Sequence, residues 1–182
     1  VWRKPVFTVA AKNLASLWVQ PNNLRDHLLA QIDGERLEFF TIHSKTHPEV
    51  SLRNEGGSWY LLRHGNWDPA NGERVSRCLN ALNTHEILQF TADTAADLMP
   101  YGLDDPFQTL TWTASREKPV KLMFGHNAES TQFFAKYEHE PFIYRIDASL
   151  LPSLPTDGIK WKGLGALRFT TFALRKITMA QG

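Results

Sequence analysis

The sequence predicts an α+β domain: antiparallel β-meanders packed with a few short helices. Three features carry that expectation. Four runs between Gln108 and Ile146 alternate apolar and polar residues, which is the period of a half-buried strand. A Gly56-Gly57 pair separates two shorter apolar runs, and glycines supply the positive φ that a tight hairpin turn needs. The clearest helical spacing is that of Val75, Cys78, Leu79 and Leu82, which fall at i, i+3, i+4 and i+7, one apolar stripe on a helix.

Along the chain, Val6–Val9 reads as a short strand and Ala11–Leu17 as a short helix with Leu14 and Leu17 on one face. Gln20-Pro21-Asn22-Asn23 is turn chemistry. Arg36–His43 is strand-like and is broken at Ser44–Pro48. Val50–Arg53 and Trp59–Arg63 form the hairpin around the glycine pair. Asp68-Pro69 then offers an N-cap and a first-turn proline, so a helix is expected from Pro69 to about Asn83. Glu86–Phe90 is ambiguous, and Asp93–Met99 reads as a short helix stopped by Pro100.

Downstream, Gln108–Thr113, Val120–Phe124, Thr131–Tyr137 and Phe142–Ile146 predict a four-stranded antiparallel sheet with one wet face. Ala148–Leu154 is a short helix, and Leu164–Thr178 is an apolar final stretch.

Bulk properties bound the function. The 182 residues suffice for one sizeable domain, taken here as residues 1–182. Twenty basic and 19 acidic residues leave a net charge of +1, so there is no basic field to hold a nucleic-acid backbone. No run of about 18 apolar residues is present to span a membrane, and no signal peptide is visible. The chain opens with Val1-Trp2-Arg3-Lys4, without an initiator Met, which leaves room for an upstream anchor. The single cysteine, Cys78, excludes an internal disulfide and a cysteine-based zinc site.

Ala11-x-x-Leu14-x-Ser16-Leu17 recurs as Ala148-x-x-Leu151-x-Ser153-Leu154, an offset of 137 from 11 to 148. At that offset Phe7 meets Tyr144, Val9 meets Ile146, Leu24 meets Trp161, Ile32 meets Phe169, Leu37 meets Leu174 and Phe40 meets Ile177, without gaps. Short apolar patterns also recur by chance, but a match over several elements in register argues for a repeat. The expectation is one unit of about residues 6–142 followed by the opening of a second over 143–182, with the natural chain continuing beyond Gly182.

Several motifs are shared with a known family. They are Gly57-Ser58-Trp59-Tyr60-Leu61, Tyr101-Gly102-Leu103-Asp104-Asp105-Pro106, Leu122-Met123-Phe124-Gly125, Phe142-Ile143-Tyr144-Arg145-Ile146 and, loosely, Trp161-Lys162-Gly163-Leu164. Over roughly residues 24–178 the chain resembles the domain of unknown function 4340 family. That resemblance implies a bacterial envelope protein, held by an N-terminal membrane segment and encoded beside ABC-transport or gliding-motility components. It implies an extracytoplasmic location and a protein partner, but no catalytic residues.

Candidate chemistry sits in loops. His43 and His47 are four apart, a spacing that on a helix can share a metal. Here they leave a strand and run into Pro48, with no third ligand in place. Asp104 and Asp105 are adjacent carboxylates that could serve hydrolysis, but successive residues of an extended chain point apart, and Asp before Pro is ordinary turn chemistry. His126, Glu129, Glu138, His139 and Glu140 lie at expected hairpin tips. Asp26 and His27 could form an acid–base couple, against the simpler reading of a carboxylate capping a turn. Cys78 lies on the apolar stripe and reads as a core residue. No serine stands in a Gly-x-Ser-x-Gly elbow.

The resulting expectation is a non-catalytic extracytoplasmic module that mediates protein–protein interaction, with an ABC-type transport complex as the partner. No cofactor, metal or nucleic acid is expected. The alternative is a hydrolase or a carbohydrate- or small-ligand-binding domain that uses His43, His47, Asp104, Asp105 and His126, with Trp67 or Trp112 as a stacking surface.

Overall fold

The computed structural model describes residues 10, 21–94 and 96–163. Among these, nine strands form one sheet: β1 Leu37–Ser44, β2 Val50–Glu55, β3 Ser58–Arg63, β4 Asn66–Pro69, β5 Gln89–Ala92, β6 Gln108–Ala114, β7 Val120–His126, β8 Phe133–Tyr137 and β9 Ile143–Ile146. The spatial order is β4-β3-β2-β1-β6-β7-β8-β9-β5, and every pairing is antiparallel. The α+β expectation holds. The four-stranded meander is one half of a larger sheet, because β1 pairs with β6 and joins the two hairpin series.

Alternation decides which side chains enter the core. Phe40 and Ile42 of β1 stand opposite Trp112 and Leu110 of β6, and these two stand opposite Val120 and Leu122 of β7. These residues share one face, together with Leu52, Leu61, Phe124, Ala135, Tyr144 and Ile146. That face is closed by helix α1, Gly72–Thr84, which buries Val75, Cys78, Leu79 and Leu82. The predicted stripe is therefore the core face of the helix.

Further along the same face, a 3-10 turn at Ala148–Ser153 contributes Leu150. A second, at Gly158–Trp161, contributes Trp161, whose side chain is fully buried. The Trp161 indole N–H donates to the Pro155 carbonyl oxygen (2.7 Å), and the Asn71 N–H donates to the Trp161 carbonyl oxygen (2.8 Å). This segment is thereby tied to the start of α1.

Two local expectations are corrected, two are refined and one strand is new. The helix starts at Gly72, not Pro69, because Asp68 and Pro69 complete β4 against Leu61 and Tyr60. Proline is tolerated there because β4 is an edge strand. Asn71 is the N-cap, and its side chain accepts from the Arg74 N–H (3.0 Å). β4 itself escaped the sequence reading: a two-residue turn, His64 at φ 49 and Gly65 at φ 79, folds it back on β3. In place of a helix over Asp93–Met99, there is a 3-10 turn at Met99–Tyr101 with Pro100 inside it. The ambiguous stretch Glu86–Phe90 runs from an isolated bridge at Glu86 into β5, which begins at Gln89. The short helix expected over Ala148–Leu154 is present as a six-residue 3-10 helix, Ala148–Ser153, carrying Pro152.

The second sheet face is also not wet throughout, because Leu103, Phe134 and Ile143 form a small second core with Leu98, Tyr101 and Met123. The Gly56-Gly57 hairpin stands as expected, with φ of 58 and 83. It joins β2 to β3 with Glu55 opposite Ser58.

The strand at Val6–Val9, the helix at Ala11–Leu17 and the segments Leu164–Thr178 and Ala173–Met179 lie outside the described residues, and most of the 137-residue comparison goes with them. Two described segments do fall at that offset. Pro21–Leu24 and Gly158–Trp161 are both four-residue 3-10 turns. Their end residues differ in environment, since Leu24 is 75% exposed and Trp161 is fully buried.

Two outcomes follow from this packing. Leu79→Ala should cost about 2–5 kcal/mol in chemical denaturation, and a loss below about 0.5 kcal/mol would show that the helix stripe does not seal the sheet. Burial pushes the Cys78 thiol up to about 12, so at mildly alkaline pH the native protein should resist thiol-directed alkylation and become reactive only on unfolding. Rapid alkylation of the native protein would contradict the buried position.

Candidate functional site

The face of β1, β6 and β7 that turns away from α1 carries the residues between the core positions. Two rows cross the strands. Ser51, Thr41, Thr111 and Lys121 stand side by side in one, and His43, Thr109 and Met123 in the other. Above these rows lies a groove of about 490 Å³. Its rim is formed by Lys45 and Glu49 on one side and by the Leu103–Pro106 loop on the other.

The rim loop is held in place by two glycines. Gly102 adopts φ 61, and a Cβ there would lie 2.5 Å from the His126 carbonyl oxygen. A Cβ on Gly125, in β7, would lie 2.6 Å from the Gly102 carbonyl oxygen. Loop and strand therefore cross with backbone against backbone. The Gly102-Leu103 and Phe124-Gly125 pairs of the sequence motifs are the two sides of that crossing. It sets Asp104 and Asp105 beside the groove, while Leu103 is buried in the small second core.

Three of the five candidate residues, His43, Asp104 and Asp105, thus meet at one site. The other two lie apart from it. His47 lines the neighbouring clefts beside Asp157, with Nδ1 2.9 Å from Thr46 Oγ1 and 3.0 Å from Thr156 Oγ1. His126 stacks near Phe107, at 5.5 Å between ring centroids, and its Nδ1 is 2.8 Å from the Asn127 carbonyl oxygen. Among the described residues no group of three or more His, Cys, Asp or Glu is arranged to hold a metal.

Several of the groove's charged groups are paired. Lys45 Nζ donates to Asp105 Oδ2 (2.5 Å) and to the Asp105 carbonyl oxygen (2.8 Å). Lys121 Nζ donates to Glu138 Oε1 (2.8 Å), and that bond holds the Glu138 carboxyl below its ordinary range. His43 Nδ1 lies 3.9 Å from Glu49 Oε2, an ion pair only when the ring is protonated. The side chains of His43 and Asp105 are 64% and 79% exposed. Exposed pairs of this kind contribute roughly 0–1 kcal/mol each, so an incoming charged group can exchange with them at small cost.

Groups with larger shifts serve packing elsewhere. Burial raises the Tyr137 hydroxyl, which donates to the Leu29 carbonyl oxygen (2.8 Å). Burial and the bond to Glu140 (2.5 Å) raise the Tyr144 hydroxyl. Asp26 caps a turn, accepting from the Leu28 N–H (2.9 Å).

Of the two tryptophans proposed as a stacking surface, one is buried and the other is half-buried with a cation over its ring. Trp112 is buried in the main core, and Trp67 lies under the Arg53 guanidinium, 4.5 Å from the ring centroid. The residues that the sequence reading missed are Thr41, Lys45, Thr109, Thr111 and Lys121. The threonines and Lys121 are the polar half of the alternating runs, whereas Lys45 follows β1 in the Ser44–Pro48 break and carries no such pattern.

The crossing gives a direct outcome. Gly125→Ala should destabilise the fold by about 1–3 kcal/mol, because the added methyl meets backbone that cannot turn aside. Equilibrium denaturation measures this, and a change within about 0.5 kcal/mol would contradict the close approach.

No curated protein matches the chain, and no solved structure matches it. The family model described as a domain of unknown function, number 4340, matches it twice, over residues 3–106 and 59–182. Together these matches span nearly the whole sequence, and the chain belongs to the domain of unknown function 4340 family.

Proposed function

We propose that this chain is a non-catalytic interaction module of a membrane-associated bacterial protein, and that the β1–β6–β7 groove receives a polar segment of a protein partner. One observation carries the reading. The groove presents threonine hydroxyls, two lysines and carboxylates on a rigid sheet face, and its charges are paired weakly enough to be exchanged. Such a surface gives orientation and specificity to a charged partner. The extracytoplasmic placement, the membrane tether and an ABC-type transport complex as partner rest on the family resemblance alone.

The hydrolase or ligand-binding alternative draws support from His43, Glu49, Asp104 and Asp105, which reach one groove from distant segments. Against it, these groups stand in an open groove, whereas general acid–base chemistry is favoured by groups tuned through burial.

Photo-crosslinking in native membranes tests the proposal. A benzophenone side chain placed at Thr111 of the full-length protein should form an adduct with an integral membrane protein. The same probe at Ser58, on the far hairpin, should not. Lys45→Glu combined with Lys121→Glu should abolish the Thr111 adduct, since like charges across an interface repel. Equal adducts from both positions, or none from Thr111, would overturn the groove assignment.

A further inference from the structure

The outer side of β5 is an edge of the sheet, and residues 22–29 run beside it and the segment before it. Leu29 N–H donates to the His85 carbonyl oxygen (2.9 Å), and Ile87 N–H donates to that of His27 (2.7 Å). Leu28 and Glu86 form an antiparallel bridge. The strap is held by two side chains. Arg25 lays its guanidinium 4.9 Å from the centroid of Phe90 and 5.4 Å from that of Phe142, and it reaches Asp93 Oδ1 at 2.6 Å. His27 sets its ring edge-on to Phe90, at 5.2 Å between centroids.

The surroundings of His27 depend on its protonation. Nδ1 lies 3.1 Å from the Ile87 carbonyl oxygen, and Nε2 lies 2.9 Å from the Asn22 carbonyl oxygen. A carbonyl oxygen only accepts, and a neutral imidazole carries a single N–H. The imidazolium alone can donate to both. Neutral His27 must turn a ring lone pair toward an oxygen and lose one of the two bonds.

We infer that residues 22–29 form a proton-gated strap, closed over the β5 edge while His27 is charged and loosened when it is neutral. The charged groups around the ring agree with this, against a desolvation that favours the neutral form. Asp26 on the strap and Glu86 before β5 favour the cation. Arg25 is engaged by Asp93 at the end of β5, and Glu140 is engaged by the Tyr144 hydroxyl of β9. The two carbonyl bonds raise the His27 value above 6.5. The closed strap's contribution is therefore complete below 6.5 and is lost as pH rises through the folded value. The device is independent of the groove on the other sheet face and stands or falls without it.

Amide hydrogen exchange on the whole chain tests the inference, combined with NMR titration of the His27 ring. With intrinsic rates corrected, protection of the Leu29 and Ile87 amides should fall several-fold from about pH 6 to about pH 9, while the Leu110 and Leu122 amides hold. In His27→Gln the protection of Leu29 and Ile87 should not vary with pH. A ring that titrates at or below its ordinary value in the unmodified protein would overturn the gate. So would a protection change that persists in His27→Gln.

Discussion

The pairing register of β1, β6 and β7 fixes both faces of this protein at once. Phe40, Leu110 and Leu122 point toward α1 only because Thr41, Thr111 and Lys121 point away from it. A slip by one residue would send the threonines and Lys121 into the core and the leucines into water. The register is well specified because the cost is one-sided: each fully buried leucine contributes on the order of 1.5–3 kcal/mol, while the open face asks only for polar side chains. The groove is thus the obligatory reverse of the core, and its floor is as rigid as the packing behind it.

Closure of the core falls to a small number of elements. Among the described residues α1 is the one α-helix, and thirteen residues cannot cover a nine-stranded sheet. The 3-10 turns after β9 extend the cover, and Trp161 fills the space near the start of α1. On the opposite face the Gly102–Gly125 crossing lets a loop lie flat on β7 and closes the small second core. That loop then continues as the groove rim. Fold and candidate site therefore share their determinants, and changing either glycine would move both.

Much of this was legible in the sequence where the physics is local. The Gly56-Gly57 turn, the alternating runs from Gln108 to Ile146 and the stripe from Val75 to Leu82 each announce their structure through spacing. Elsewhere tertiary context overrides local preference. Asp68-Pro69 has good helix-start chemistry, but pairing with Tyr60 and Leu61 places it in an edge strand, and Asn71 supplies the cap instead. The site was legible only in part. His43, Asp104 and Asp105 are chemically conspicuous, yet His43 lies some 60 positions before the two adjacent carboxylates and meets them only because β1 pairs with β6. Thr41 and Thr111 gave no signal as single residues. The setting of His27 is not legible in the sequence, because two carbonyl acceptors from Asn22 and Ile87 cannot be seen in a linear chain.

The register between the two halves of the sheet is the claim on which the rest stands. Nuclear Overhauser contacts between side chains measure it directly. Contacts are expected to link Thr41 to Thr111 and Thr111 to Lys121, with Phe40 contacting Trp112 and the α1 leucines. Contacts of Thr41 with Leu79 or Leu82 would place the threonine row in the core, and would contradict the register and the groove together.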